Sequence, residues 1–318
     1  MKITRKNTLF PLSLIMFMIC GCSNTSASTS SNKNPTTSIE PVMKEANVII
    51  LCGQSNAEGN TWNRMLMEKN QALFDKYFEA HSSKTKIKFR CNAMDNAHLN
   101  ESKTFSSIRL GMGYDFERFG PEVGMNEIFE TKNFERDLFI IKYASGGTTL
   151  QRDWLSPSSA TETMPVGVLY SGMVEYIHQC LKELEDQNYY PFIKGICWMQ
   201  GESDGGYYAN QYKNNELNFI NDLREEFNYY MEEGDNKIKF ISGGISPYWA
   251  NYSIINNGKK ENALLDAQNN YYIDTIQNNL SYDKEPTNSI DYCHYDSLAM
   301  VELGKLFANA MLSFDVLH

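Results

Sequence analysis

The sequence has little positive charge and no clustered metal ligands. Its 29 lysines and arginines are outnumbered by 39 aspartates and glutamates, which gives a formal net charge of −10. Proteins that bind nucleic acid present a basic face to the phosphates, so this balance argues against nucleic-acid binding. There is also no Cys-x-x-Cys pair and no group of histidines and cysteines with the spacing of a zinc site.

The chain also lacks an apolar run long enough for a comfortable membrane span. Its stretch Leu9–Ile19 follows a basic start, is interrupted by a proline and a serine, and ends in Ile19-Cys20-Gly21-Cys22. This order of features predicts a signal peptide over residues 1–21. The ending resembles the lipobox of bacterial lipoproteins, which implies a lipid on the sulfur of Cys22. An ordinary signal peptide with an incidental cysteine is the alternative.

Residues 22–42 are rich in serine, threonine and asparagine and contain nothing that can form a core. We interpret them as a flexible tether that holds a domain off a membrane. Residues 43–318 show no internal repeat and predict a single domain. The expected location is therefore outside the cytoplasm, as a cell-surface or periplasmic lipoprotein of a bacterium, with the membrane contacted through Cys22.

Five cysteines follow the tether. An odd number cannot all pair with one another, and two of them lie in apolar runs, which favours buried thiols. Export nevertheless permits a disulfide, and the residues alone select no pair. The five are Cys52, Cys91, Cys180, Cys197 and Cys293.

Short continuous apolar runs predict four buried strands, and each run ends beside a glycine-containing segment. The runs are Asn47–Cys52, Asp137–Ala144, Phe192–Met199 and Ile238–Ser242. Apolar residues recur at helical spacing over residues 170–184, 212–230 and 301–311. This alternation predicts an α/β fold, a three-layer α/β/α sandwich around a mostly parallel sheet. Sites in such sheets lie beyond the carboxyl ends of the strands.

Two segments carry residues suited to nucleophilic catalysis. Ser55 follows the first predicted strand, where the N–H groups that open a helix suit a developing oxyanion. Asp291 precedes His294 by three residues, and such a carboxylate can orient an imidazole and stabilise its charged form. The alternatives are a serine that caps a helix and an Asp–His contact that caps the last helix. We interpret the other four histidines as surface or boundary residues.

Two further segments end on the same predicted edge of the sheet. Gly146-Gly147-Thr148 follows the second strand, and Trp198–Asp204 spans the end of the third. Glycine leaves a backbone N–H donor unobstructed, and Gln200 carries a side-chain NH2 donor. The alternative is ordinary strand-to-helix turn chemistry. The Gly-x-Ser-x-Gly elbow of α/β-hydrolases is absent, because residue 57 is alanine.

In combination these segments resemble the SGNH (GDSL-type) hydrolases, and within them the sialate O-acetylesterase and acetylxylan esterase group, carbohydrate esterase family six. The resemblance covers nearly the whole predicted domain in the family's order. Its residues are Gly53–Asn56, Gly146–Thr148, Trp198–Asp204 and Asp291–His294. Gly-Gln-Ser-Asn together with Gln-Gly-Glu-Ser-Asp is a specific signal, whereas Asp-x-x-His alone is weak. The resemblance implies the SGNH fold, with a flavodoxin-like sheet.

The resemblance implies that Ser55 is a nucleophile with Asp291 and His294 as its triad partners. It implies an oxyanion hole made by the Ser55 N–H, the Gly146 N–H, for which Gly147 is an alternative, and the Gln200 side chain. It gives no role to Glu202 or Asp204 that the residues themselves support. The implied chemistry needs no metal or other cofactor.

The implied activity is that of a serine esterase that removes O-acetyl groups from carbohydrate, such as acetylated xylan or sialic acid, through an acetyl-enzyme. A short-chain acyl or lipid esterase is one alternative, and a catalytically inert carbohydrate-binding lipoprotein is another. Arg152 and Trp154 follow the Gly-Gly-Thr segment and are candidates for substrate binding. Ordinary loop packing is the alternative interpretation of both residues.

The lipid anchor is tested by replacing Cys22 with serine. Because serine has no thiol to carry the lipid, we expect Cys22→Ser to move the protein from the membrane fraction to the soluble fraction, as measured by fractionation and immunoblotting. Cys20→Ser is the matched control and should stay with the membranes. A Cys22→Ser protein that remains in the membrane fraction would contradict lipidation at this residue.

Overall fold

In the computed structural model, which describes residues 42–78 and 84–318, the longest apolar runs form the middle of one sheet. The predicted signal peptide, Cys22 and the tether up to residue 41 lie outside the described residues. Within the described ranges, no helix combines the length and the apolar character that a membrane crossing requires.

The described part contains a large mixed sheet and a short antiparallel pair, β2 with β6. The strands are β1 (Lys44–Gly53), β2 (Thr61–Trp62), β3 (Lys86–Cys91), β4 (Asn100–Glu101), β5 (Ser106–Ser107), β6 (Arg118–Phe119), β7 (Asp137–Ala144), β8 (Tyr189–Met199), β9 (Lys239–Gly243) and β10 (Asn270–Ile273). The large sheet has the order β10-β9-β8-β1-β7-β3-β4, with β5 also paired to β3. Its first six strands pair in parallel, and β4 and β5 run antiparallel to β3.

The α-helices of the described part fall between the strands and after the last one. They are α1 (Ser55–Glu58), α2 (Asn63–Lys69), α3 (Gln71–Phe78), α4 (Glu122–Phe129), α5 (Val168–Asp186), α6 (Ala209–Glu226), α7 (Tyr252–Leu265) and α8 (Ser297–Ser313). Short 3-10 turns occur at Pro157–Ser159, Glu202–Gly205 and Asn228–Tyr230.

The two faces of β8 meet different helices, which makes the molecule a three-layer sandwich. Gly195 leaves room for the Met311 side chain of α8. Trp198 points to the other face, where its ring lies 4.5 Å from that of Phe219 in α6. Because side chains alternate along a strand, these two contacts place α8 and α6 on opposite sides of the sheet. The predicted fold class, an α/β sandwich with a mostly parallel sheet, is confirmed.

The strand that carries the sequence toward Ser55 lies at the centre of the sheet. β1 is buried from Ala46 to Gly53 and pairs in parallel with β7 on one side and β8 on the other. The chain passes from β1 to strands on one side of it and then returns to build β8, β9 and β10 on the other side. The carboxyl end of β1 therefore lies where the strand order reverses, the position at which open α/β sheets bind their ligands.

The four predicted strands correspond to β1, β7, β8 and β9, and two parallel strands were missed. β3 alternates lysine and arginine with apolar residues, and it has half-exposed and buried positions in turn, so it contains no continuous apolar run. β10 has only four residues, two of them tyrosines that are partly exposed. Continuous burial is a property of the central strands, so the search for apolar runs found the centre of the sheet and not its margins.

The predicted helices correspond to α5, α6 and α8, but the second ends earlier than the apolar pattern. α6 ends at Glu226, and the predicted positions up to Tyr230 form a 3-10 turn instead. The cysteines of the described residues are all free thiols. Four of them are buried, and burial raises the pKa of each of those four thiols. No disulfide therefore contributes to the stability of this part of the chain.

Candidate active site

Ser55 begins α1 directly after the central strand. The turn between them requires glycine at residue 53, since its φ is +139° and a Cβ there would lie 1.9 Å from the carbonyl oxygen of Met199. The N-cap of α1 is Gln54, whose carbonyl oxygen accepts hydrogen bonds from the N–H groups of Ala57 and Glu58, both at 2.8 Å. Ser55 is therefore not the helix cap. Its N–H precedes the first bonds within the helix and is available to a ligand.

Asp291 and His294 form the predicted pair. The Nδ1 atom of His294 lies 2.6 Å from Oδ2 of Asp291, and Oδ1 of Asp291 accepts a hydrogen bond of 3.0 Å from the Cys293 N–H. Burial disfavours the charged carboxylate, but the hydrogen bond and charge of His294 outweigh it and hold the pKa of Asp291 below its ordinary value. A proton on Nδ1 leaves Nε2 as the basic nitrogen. α8 begins later, with Asp296 as its N-cap, so the pair does not cap that helix.

Asn56 connects the start of α1 to the backbone on both sides of His294. Its Nδ2 donates to the Cys293 carbonyl at 3.4 Å, and its Oδ1 accepts from the Tyr295 N–H at 3.2 Å. The same Nδ2 donates to Oε1 of Glu202 at 2.8 Å, so both of its hydrogens have acceptors. Because Asn56 follows Ser55 in sequence, its side chain holds the loop that contains His294 against the start of α1, next to the serine. The sequence analysis missed this role.

Gly146 lies against Ser55 at the end of β7. A Cβ placed on Gly146 would be 3.3 Å from the Ser55 Cβ and 3.0 Å from Oε2 of Glu58, so a side chain here would crowd both residues. The buried Glu58 carboxyl accepts hydrogen bonds from the Asn92 N–H at 2.6 Å and from Asn60 Nδ2 at 3.0 Å. Burial raises the pKa of Glu58, which these bonds and one from the Gly146 N–H partly offset.

Gln200 is fully buried and holds neighbouring segments together. Its Nε2 faces three acceptors, namely Oδ2 of Asp204 at 2.6 Å, the Thr148 carbonyl at 3.1 Å and Oε1 of Gln54 at 3.3 Å. Three acceptors around one nitrogen define which end of the amide carries the hydrogens. Both hydrogens thus already have partners. To donate to an oxyanion, the Gln200 amide would have to exchange one of these bonds, just as the Gly146 N–H would have to exchange its bond to Glu58.

The two acidic residues without a predicted role are both buried supports. Asp204 also accepts hydrogen bonds from the N–H groups of Leu150 at 2.8 Å and Gln151 at 3.1 Å, which joins the turn after β8 to the loop after β7. Burial raises the pKa of Asp204 to about 6 despite these bonds. Burial likewise raises the pKa of Glu202, although the bond from Asn56 lowers it in part.

The two candidate substrate residues have different surroundings. Trp154 is completely buried, and its Nε1 donates to the Thr148 hydroxyl at 2.8 Å. The prediction that Trp154 binds substrate is therefore wrong, because the indole packs in the core against the rings of Tyr143 and Trp198. Arg152 is exposed and lines a cleft of about 640 Å³ together with Tyr208 and others.

A second Asp-x-x-His pair occurs in the loop after β3 and was overlooked in the sequence. Nδ1 of His98 lies 2.6 Å from Oδ2 of Asp95, the same distance as in the first pair. Its side chains are 64% and 53% exposed, whereas those of His294 and Asp291 are 21% and 35% exposed. Water competes for the exposed pair, whereas the less exposed pair lies in a loop that Asn56 holds through the backbone on either side of His294. Spacing alone does not separate the two pairs.

The described residues contain no group of three or more histidine, cysteine, aspartate or glutamate side chains arranged to hold a metal ion. The site instead combines the Ser55 hydroxyl, backbone N–H groups, and the His294–Asp291 pair, whose loop is held by the neighbouring Asn56 side chain. Such a set suits nucleophilic attack on an acyl group followed by proton transfer.

Comparison with known proteins agrees with this chemistry. The family described as "Carbohydrate esterase, sialic acid-specific acetylesterase" matches residues 45–313. No curated protein sequence matches the chain.

Solved structures share the fold at low identity. The chain is 19% identical to a protein from Arabidopsis thaliana, covering 84% of this chain and 98% of that one with a TM-score of 0.52. It is 17% identical to NanS, covering 87% and 99% with a TM-score of 0.56. It is 13% identical to a carbohydrate acetylesterase from Xanthomonas citri, covering 83% and 55% with a TM-score of 0.52.

The raised pKa of Asp204 gives a pH-dependent contribution to stability. Between its ordinary value of 3.8 and about 6, the folded protein retains a proton that the unfolded chain releases. Asp204 therefore makes the free energy of unfolding fall as the pH rises through this range, by up to about 3 kcal/mol. Asp204→Asn removes this titration. We expect the free energy of unfolding of the variant to rise relative to wild type between about pH 4 and about pH 7.

Urea unfolding at several pH values measures this difference. Asp283→Asn, a change at an exposed aspartate, is the control, and its difference from wild type should stay nearly flat. A difference between Asp204→Asn and wild type that is the same at every pH would show that the buried carboxyl does not titrate in this range.

Proposed function

Because the chain belongs to the family of carbohydrate esterases described as sialic acid-specific acetylesterases, we propose that it releases acetate from O-acetylated carbohydrate with Ser55 as nucleophile. Membership of this family makes the chain a carboxylic ester hydrolase that acts on acetylated carbohydrate. The observation that supports Ser55 as the nucleophile is the Asn56 side chain, which ties the Asp291–His294 loop to the start of α1 next to Ser55.

The proposed first step is acylation. Nε2 of His294 takes the hydroxyl proton while Oγ of Ser55 attacks the acetyl carbonyl carbon. The N–H groups of Ser55 and Gly146 and the Gln200 side chain are the proposed donors to the oxyanion. Gly146 and Gln200 donate to it by exchanging their present bonds to Glu58 and to Thr148 or Asp204. The carbon–oxygen bond to the sugar then breaks, and the sugar oxygen leaves with the proton from His294. Asp291 holds the imidazole in the required tautomer and stabilises its charged form.

The proposed second step is deacylation by water. His294 removes a proton from water as the water oxygen attacks the acetyl carbon of the acetyl-enzyme. The bond to Oγ of Ser55 then breaks, the serine regains its proton from His294, and acetic acid is released, which ionises to acetate in solution. We propose acetylated polysaccharide such as xylan, or O-acetylated sialic acid, as substrate. The exposed Arg152 is proposed to contact the sugar. The acetyl group comes off outside the cytoplasm if Cys22 carries its lipid.

The triad is tested by measuring acetate release from acetylated xylan, from O-acetylated sialic acid and from p-nitrophenyl acetate. We expect Ser55→Ala and His294→Ala each to lower turnover by about 10⁴-fold or more, and Asp291→Asn to lower it by a similar or smaller factor. His98→Ala is the matched control, because it removes the histidine of the other Asp-x-x-His pair, and it should retain full turnover.

Three outcomes would argue against the proposal. If wild type released no more acetate than Ser55→Ala from any of the esters, the protein would not be a serine esterase that uses Ser55. Loss of turnover in His98→Ala with full turnover in His294→Ala would assign the base to the loop after β3. Faster cleavage of longer acyl esters than of any acetyl ester would favour a lipid or short-chain acyl esterase.

Asn56 is proposed as a positioning residue for His294. Asn56→Ala removes the hydrogen bonds to the backbone at Cys293 and Tyr295, so His294 is no longer held at one distance from Ser55. We expect kcat to fall by about 10²-fold with little change in KM, because displacements of the order of an ångström have effects of this size. A fall in kcat accompanied by an equally large rise in KM would contradict a positioning role for Asn56. An unchanged kcat would also contradict it.

A loss caused by unfolding is excluded by two further measurements on the Asn56 variant. The unfolding midpoint in urea should fall only modestly, in keeping with the loss of a few hydrogen bonds. Asn60→Ala is the comparison, because Asn60 also contacts this turn, through the Ser55 carbonyl at 3.4 Å, yet has no bond to the histidine loop. Its kcat should fall less than that of Asn56→Ala.

A further inference from the structure

Two exposed tyrosines are stacked beside the histidine loop. The rings of Tyr248 and Tyr292 have centroids 5.7 Å apart and planes inclined by only 17°. Tyr248 lies in the segment after β9, and Tyr292 lies two residues before His294, so two separate loops bring the rings together. The two residues are 49% and 44% exposed. About half of this aromatic surface is therefore open to solvent.

The pair is fixed to the same loop as His294. The Tyr248 hydroxyl lies beside the Cys293 thiol, and the Cys293 carbonyl accepts the 3.4 Å bond from Asn56. The ring of Trp249 also contacts Tyr248, with centroids 5.5 Å apart and nearly perpendicular planes. Tyr248 thus packs against the residue that precedes His294 and against its own neighbour Trp249.

The chemistry of the pair suits a sugar. A pyranose ring has faces of C–H groups that pack on an aromatic ring, and an edge of hydroxyl groups that hydrogen-bond to neighbouring polar groups such as a tyrosine hydroxyl. Binding sites for small molecules generally combine such an apolar surface with a few polar groups. An aromatic pair left open next to the base of a carbohydrate esterase has the position and the chemistry of a stacking surface.

We propose that Tyr248 and Tyr292 form a platform on which a pyranose ring of the acetylated substrate stacks, with its ester directed toward Ser55. This inference rests on the proposed function for the class of ligand. The platform binds the ring face, so it serves a neutral or an acidic sugar. The platform contributes to the affinity for substrate and takes no part in the chemical step.

The test is calorimetric titration of the full protein with two sugars that carry no acetyl ester, xylotetraose and N-acetylneuraminic acid. We expect the Kd for at least one of them to rise about tenfold in Tyr248→Ala and in Tyr292→Ala. Tyr229→Ala is the matched control, because Tyr229 is 75% exposed in the turn after α6, and its Kd should equal that of wild type.

The titration separates failure of the platform from failure of the esterase. Wild type that binds neither sugar, or alanine variants that bind as tightly as wild type, would overturn the platform, while acetate release remains a separate measurement. Tyr248→Phe keeps the ring and removes only the hydroxyl beside Cys293, so it should bind within a few fold of wild type. Weakening by Tyr248→Phe as large as that by Tyr248→Ala would overturn stacking as the cause.

Discussion

The parallel pairing of β1 with both β7 and β8 is the constraint on which the rest of the site depends. The register sets Gly53 opposite Ala144 on one side and Met199 on the other. The ladder extends one residue further, since Gln54 donates to the Met199 carbonyl at 2.9 Å and Ser145 donates to that of Gly53 at 3.1 Å. The carboxyl ends of β1, β7 and β8 therefore lie side by side at the same edge of the sheet. Residues that are far apart in sequence become neighbours there through the backbone alone.

Buried carboxyl groups then join these exits to one another. Glu58 joins α1 to the loop after β3, Glu202 joins the turn after β8 to α1, and Asp204 joins that turn to the loop after β7. Each acid accepts hydrogen bonds from amide groups, which satisfy part of the cost of its burial. The arrangement costs some stability, since desolvation raises the pKa of all three. In return, the turns that surround Ser55 cannot move independently.

The sequence predicted the layers, the central strands, and the Ser55 and Asp291–His294 segments of the candidate site, because buried parallel strands are continuous apolar runs and short motifs follow them. Sequence-based prediction failed for features that depend on contacts between distant parts of the chain. β3 alternates charged and apolar residues because only one of its faces is fully buried. Trp154 stood among candidate substrate residues because loop aromatics look alike in sequence, and only its packing against Tyr143 and Trp198 identifies it as core. The role of Asn56 depends on a loop almost 240 residues away, which no local pattern encodes.

The close contact at Gly53 also sets unequal mutational tolerance around Ser55. Any side chain at Gly53 must displace the backbone of β8 at Met199 and adopt a φ that L-residues avoid. Tyr248, at the rim, has an open side chain that can be exchanged without moving a strand. In a library of random variants, most substitutions at Gly53 would give unfolded protein, whereas most substitutions at Tyr248 would leave the protein folded. Substitutions at the proposed platform can therefore alter which sugar is held without disturbing the backbone turn at Gly53.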